Sequence, residues 1–146
     1  MVTQAVGDML YEIGVQVARV LGKVPDDVFV FIEAGDQWCG GAIFDNLGDK
    51  IIYHDLAHET CEVILRLWEE APMDQKWSII EYDISQGNFD AKFRFTNDLE
   101  HHPMEYDYRQ DALEARYGNK PVTYPPMEDG NWQELSENDL RENGSG

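Results

Sequence analysis

Apolar residues in the first part of the chain recur at the spacing of an α-helix. Between residues 6 and 21 they return every three or four positions, which places them on one helix face. Gly22 follows as a C-terminal stop signal, and Pro25 prevents the helix from continuing. The same spacing returns over residues 61–68, and Pro72 ends that segment. These patterns predict two amphipathic helices, the second beginning near Asp55 or Leu56, and a third is expected at about 105–117.

Five further segments have the composition or the alternation of β-strands. They are residues 28–32, 41–44, 50–53, 77–85 and 89–96. The last has the clearest alternation, with Phe89, Ala91, Phe93 and Phe95 on one side and polar residues on the other. Short turns containing Gly and Asn separate the strands, so neighbouring strands are expected to pair antiparallel.

The element order is therefore α-β-β-β-α-β-β-α. It predicts an α+β fold with a mostly antiparallel five-stranded sheet packed by helices on one face. At this length a single domain over residues 1–120 is expected. The prolines and acidic residues of 121–143 predict an extended, acidic tail. The composition of residues 144–146 is typical of a linker remnant.

Charge sets this chain apart from an ordinary small domain. It carries 29 Asp and Glu against 11 Lys and Arg, a net charge of −18. Such self-repulsion destabilises a compact state, so we interpret part of the charge as serving a cationic partner. An evenly solvated acidic surface is the alternative. Direct nucleic-acid binding is disfavoured, because phosphate contacts need clustered Lys and Arg.

The acidic residues are concentrated in two stretches. Residues 81–114 hold nine acidic side chains against three basic ones, and residues 128–142 hold six against one. This clustering favours an acidic surface made for a basic protein over an even coat. No apolar run reaches the length of a membrane span, the N-terminus lacks a secretory pattern, and two cysteines suit a reducing cytosol. We therefore expect a cytoplasmic protein that does not bind a membrane and carries no cofactor.

Two histidine pairs are candidate metal ligands. His54 and His58 are four residues apart beside Glu59, but the order differs from the zinc-hydrolase motif. A helix start with Asp55 as N-cap is the alternative for this segment. His101 and His102 lie among four carboxylates that lack EF-hand spacing, so a protein-binding surface is favoured there.

Glu81 and Asp83 form a carboxylate pair on one strand. Being two residues apart, they project from the same face, opposite Ile80 and Tyr82. If the apolar face is core, this pair lies in solvent, where Lys92 and Arg94 of the next strand are candidate partners. Acid–base catalysis by the pair is disfavoured, since nothing in the sequence separates the two environments.

The element order and the second half of the chain resemble the YezG-like immunity proteins of bacterial polymorphic toxin systems. The resemblance is carried by Leu65-x-x-Trp68-Glu69-Glu70, residues 77–80, residues 87–95 and Ala115-Arg116-Tyr117-Gly118, and it spans residues 5 to about 118. It implies a non-enzymatic cytoplasmic antitoxin that binds a cognate effector domain, often a nuclease. It carries over no catalytic residues.

Sequence and resemblance together predict an acidic face that occupies a basic toxin cleft and steers fast association. We expect this face on the last hairpin and the loop and helix that follow. Its candidate residues are Glu81, Asp83, Asp90, Asp98, Glu100, Glu105, Tyr106, Asp107 and Asp111. Two rivals stay open: a metal-dependent hydrolase that uses either histidine pair, and a generic adaptor for basic proteins.

Overall fold

The computed structural model of the chain describes residues 4–96, 108–124 and 133–134. Three α-helices, a short 3₁₀ turn and seven strands lie in this part of the chain. The helices are α1 (Gln4–Leu21), α2 (His58–Glu70) and α3 (Tyr108–Tyr117), and the turn is Met73–Gln75. The strands are β1 (Val28–Gly35), β2 (Trp38–Asn46), β3 (Ile51–Asp55), β4 (Trp77–Ser85), β5 (Asn88–Phe95), β6 (Val122–Tyr124) and β7 (Gln133–Glu134).

All seven strands join one sheet in the order β5-β4-β1-β2-β3-β6-β7. The five predicted strands pair antiparallel with their neighbours, as expected. The prediction of a five-stranded sheet is wrong, however. β6 pairs parallel with β3, and β7 pairs antiparallel with β6, so the sheet is mixed. β6 lies in the segment interpreted from sequence as a tail, because a short Pro-flanked strand has no alternation long enough to reveal it.

Helices α1 and α2 pack side by side on one face of the sheet. Leu10, Ile13 and Val17 of α1 are buried against the alternate residues of β1 and β4 that face them. Tyr82 of β4 fixes this contact, since its hydroxyl donates a 2.7 Å hydrogen bond to the Leu10 carbonyl. The principal core of the protein therefore lies between these two helices and the sheet.

The other face of the sheet carries α3. Ala112 and Leu113 are buried against Phe29, Phe31 and Phe44, which alternate with the residues of the first core. The expectation that helices cover a single face is thus wrong. The aromatic side chains of β1 and β2 form a second apolar surface, and α3 buries it.

The second helix begins later than predicted. Asp55 is the last residue of β3, and the N-cap position is Ala57, so the predicted Asp55 cap does not occur. The buried side of α2 comprises Thr60, Val63, Ile64 and Leu67, while Cys61 is only half-buried. The buried stripe is shifted from the predicted one because α2 packs against both α1 and the sheet.

In the part of the chain that the structure describes, no helix is long and apolar enough to cross a membrane.

Candidate functional site

Glu81, the first predicted site residue, is buried beneath α3. Only 5% of the Glu81 surface is exposed to solvent. One carboxylate oxygen pairs with Arg94 of the neighbouring strand, and the other lies 3.0 Å from a guanidinium nitrogen of Arg116 on α3. Pairing with Arg94 agrees with the sequence analysis, but the expected solvent position of Glu81 is wrong. Glu81 is shielded from solvent because α3 covers this face of the sheet.

Arg116 joins α3 to the carboxylates of β4. It donates two hydrogen bonds of 2.7 Å to Asp83, and its guanidinium carbon lies 3.9 Å from the centre of the Phe29 ring. Burial by itself would lower the Arg116 pKa, but the hydrogen bonds and charges of Asp83 and Glu81 outweigh it and raise that pKa. Burial likewise acts to raise the Glu81 pKa, and the two arginines outweigh it and lower that pKa. Glu81 and Arg116 are therefore both held in their charged forms.

The remaining predicted carboxylates in the described part lie nearer to solvent. The Asp83 side chain is 37% exposed even with Arg116 bound to it. Asp90 is exposed and stands directly opposite Asp83 in the register of β4 and β5. Asp111 is exposed in the first turn of α3. Asp90 shares a face with Asp83 and is open to a partner.

Five predicted surface residues and one histidine pair lie outside the described residues. The surface residues are Asp98, Glu100, Glu105, Tyr106 and Asp107, and the histidines are His101 and His102.

His54 and His58 do not lie on one helix face. His54 is on β3, half-buried, while His58 starts α2 and lies 3.1 Å from Glu62, one turn further along. Burial lowers the His54 pKa, with nearby charges acting in both directions. Among residues 4–96 and 108–124, no three His, Cys, Asp or Glu side chains are grouped so that they could hold a metal ion.

Exposed carboxylates far outnumber exposed cations in the described part. Fourteen Asp and Glu are exposed, whereas half of the ten Lys and Arg are at least partly buried. Arg94 and Arg116 neutralise Glu81 and Asp83, and Lys120 donates to Asn46. The five exposed cations are Arg19, Lys23, Arg66, Lys92 and Arg109. The fold thus turns several of its positive charges inward and leaves an acidic surface.

One part of this surface escaped the sequence analysis. The outer side of α2 exposes Glu59, Glu62, Glu69 and Glu70, with Arg66 as its one exposed cation. We call these four carboxylates the α2 acidic surface. Glu59 and Glu62 are three residues apart, and Glu69 follows seven residues after Glu62, so the three lie on one helix face. This spacing was the available signal, but only the apolar side of the helix entered the prediction.

An apolar groove of about 540 Å³ opens between α1 and the β4–β5 hairpin. Tyr11, Val24 and Phe89 line it and are 67%, 82% and 38% exposed. Gly14 lets the helix approach here, because a Cβ atom at this position would lie 2.8 Å from the Tyr82 hydroxyl. Exposed aromatic side chains beside a groove are typical of anchor positions in protein interfaces. The groove is not visible in the sequence, since it depends on how α1 crosses the hairpin.

Comparison with protein-family models and with curated proteins finds no match for this chain.

Proposed function

We propose that this protein is an immunity protein that binds and neutralises a bacterial toxin domain with a basic active-site cleft, such as a nuclease. The observation that carries the proposal is the excess of exposed carboxylates over exposed cations. This surface repels itself in the free protein, and a basic partner relieves that repulsion. Complementary charge also accelerates encounter with the toxin before its nucleic-acid substrate is reached.

Two regions of the surface are candidates for the contact. The first contains Asp90 and Asp111, together with the predicted carboxylates between β5 and α3. The second is the α2 acidic surface. Glu81 does not belong to the contact surface. It is buried, and it forms ion pairs with Arg94 and Arg116 that stabilise the fold. We assign the contact to the first region, and the groove beside β5 supplies apolar anchors near the same hairpin.

The test begins with the reading frames beside the gene. We expect one of them to encode a large secreted protein whose variable C-terminal domain is the toxin. Co-expression of that domain with this protein should restore growth of a bacterial host. Purified components should bind at nanomolar Kd or tighter, and binding should weaken as salt rises.

Charge reversal then distinguishes the two regions. The Asp90→Lys/Asp111→Lys variant should lose affinity by at least about tenfold, mainly through slower association. Glu62→Lys/Glu69→Lys is the matched control, with the same change in charge on the other region. A loss confined to the control moves the contact to α2. The proposal is contradicted if co-expression of the wild-type protein does not relieve growth inhibition by the toxin. It is also contradicted if the affinity is unaffected by salt and by both variants.

A further inference from the structure

The two cysteines of the chain meet across the principal core. Cys39 lies in β2 and Cys61 on α2, and their sulfur atoms are 2.8 Å apart. Both are free thiols and both are half-buried. We propose that Cys39 and Cys61 form a reversible modification site, at which a small-molecule disulfide such as oxidised glutathione converts the thiol pair into an internal disulfide.

The distance favours a disulfide over a shared metal ion. Two thiolates on one tetrahedral metal, each with a bond of about 2.3 Å, lie about 3.8 Å apart. The sulfurs of Cys39 and Cys61 are a full ångström closer than that. They need only a small further approach to bond, since an S–S bond is about 2.05 Å long.

The oxidation proceeds by two exchanges. One cysteine thiolate attacks a sulfur of oxidised glutathione, which releases one glutathione thiolate and leaves a mixed disulfide on the protein. The second cysteine then attacks the protein sulfur of this mixed disulfide and releases the second glutathione. The protein loses two electrons and two protons, and one oxidised glutathione becomes two reduced ones.

Either cysteine can make the first attack, since both are half-buried. The other cysteine then resolves the mixed disulfide, because the two sulfurs lie 2.8 Å apart. Burial, and then the neighbouring Cys61 sulfur, raise the pKa of Cys39 well above its usual range.

The bond would tie α2 to the sheet. It closes a loop that contains β2 and β3, and the entropy lost by the unfolded chain stabilises the oxidised form. For a loop of this length the expected rise in Tm is about 10 °C. The bond joins elements that already pack together, so the fold is expected to stay unchanged.

Mass spectrometry of the native protein tests the site directly. After treatment with oxidised glutathione and alkylation in denaturant, the wild type should lack two hydrogens and carry neither alkyl group nor glutathione. Trypsin cuts after Lys23, Lys50 and Arg66, so residues 24–50 and 51–66 should remain joined until a reductant is added.

The single variants serve as controls. Cys39→Ser and Cys61→Ser each keep one thiol and lack the second that would resolve the mixed disulfide, so each should accumulate one bound glutathione. The Tm of the wild type should rise on oxidation and fall back with reductant, whereas the Tm of either variant should not rise. Two alkylated thiols in the treated wild type, or glutathione that stays bound to either cysteine of the wild type, would overturn the proposal. These results do not depend on the toxin, so they test this site separately from the proposed function.

Discussion

Replacing Arg116 by Met should destabilise the protein strongly, because Arg116 neutralises a buried carboxylate. Met has a similar length and retains apolar packing on Phe29, but it removes the charge. Glu81 then keeps only Arg94, and the two 2.7 Å hydrogen bonds to Asp83 are lost. The Arg116 side chain is 21% exposed and that of Glu81 is 6% exposed, so solvent compensates little.

The expected magnitude follows from these contacts. Removing one partner of a buried ion pair costs about 3–5 kcal/mol. The remaining Arg94 places the Glu81 loss near the lower end of that range, and the half-exposed pair with Asp83 adds about 0.5 kcal/mol. We expect the free energy of unfolding to fall by about 3.5 kcal/mol and the Tm by about 7–14 °C.

Urea unfolding followed by tryptophan fluorescence measures the loss. Arg109→Met is the matched control: it removes a positive charge from the same helix at an exposed position and should change stability by less than about 0.5 kcal/mol. Adding Glu81→Met to Arg116→Met should recover part of the loss, because the buried carboxylate is removed and Arg94, which loses its partner, has a side chain that is 41% exposed. A loss below about 1 kcal/mol, or a double variant less stable than Arg116→Met, would refute the reasoning.

Two further predictions concern the backbone and the pH dependence. Gly41→Ala should cost at least about 3 kcal/mol in urea unfolding, because φ is +148° and a Cβ atom would lie 2.1 Å from the Phe31 carbonyl oxygen. Gly48→Ala, also at positive φ but in open space, should cost only about 1–2 kcal/mol; equal losses would contradict the steric argument. The folded-state pKa of Glu81 lies below its ordinary value of 4.5. The Glu81 carboxylate therefore stabilises the fold fully above pH 4.5, and this contribution is lost as the pH falls through the lowered pKa. The stability difference between wild type and Glu81→Gln should therefore shrink as the pH falls below 4.5, and a difference that grows on acidification would show that Glu81 is not held ionised.

Local sequence patterns predicted most elements and the antiparallel pairing of strands joined by short turns, but not the pairing of β1 with β4 or of β3 with β6. The α1 stripe and the alternation of β5 depend on nearest neighbours along the chain, so their positions were predicted closely. β6 was missed because its three residues gain their strand conformation from pairing with β3. The location of α3 was missed for a similar reason. Its apolar side is short, and only the aromatic residues of β1 and β2 show which face of the sheet it covers.

The candidate site shows the same division. The sequence identified Glu81 and Asp83 as neighbours on one face, and it identified Arg94 as a partner. It placed both carboxylates in solvent, because Arg116 is 33 residues beyond Asp83 and has no local relation to it. His54 and His58 do not share a helix face, because His54 lies on β3 and His58 begins α2.

The sequence by itself determined the sign and size of the charge and the order of the first eight elements. Both follow from composition and from periodicities of two or 3.6 residues, which are local. Only the tertiary structure decided which charges face solvent. Burying Glu81 is costly unless cations accompany it, and the packing of α3 brings Arg116 to that position. Packing of α2 against β2 likewise brings the two sulfurs together from 22 residues apart.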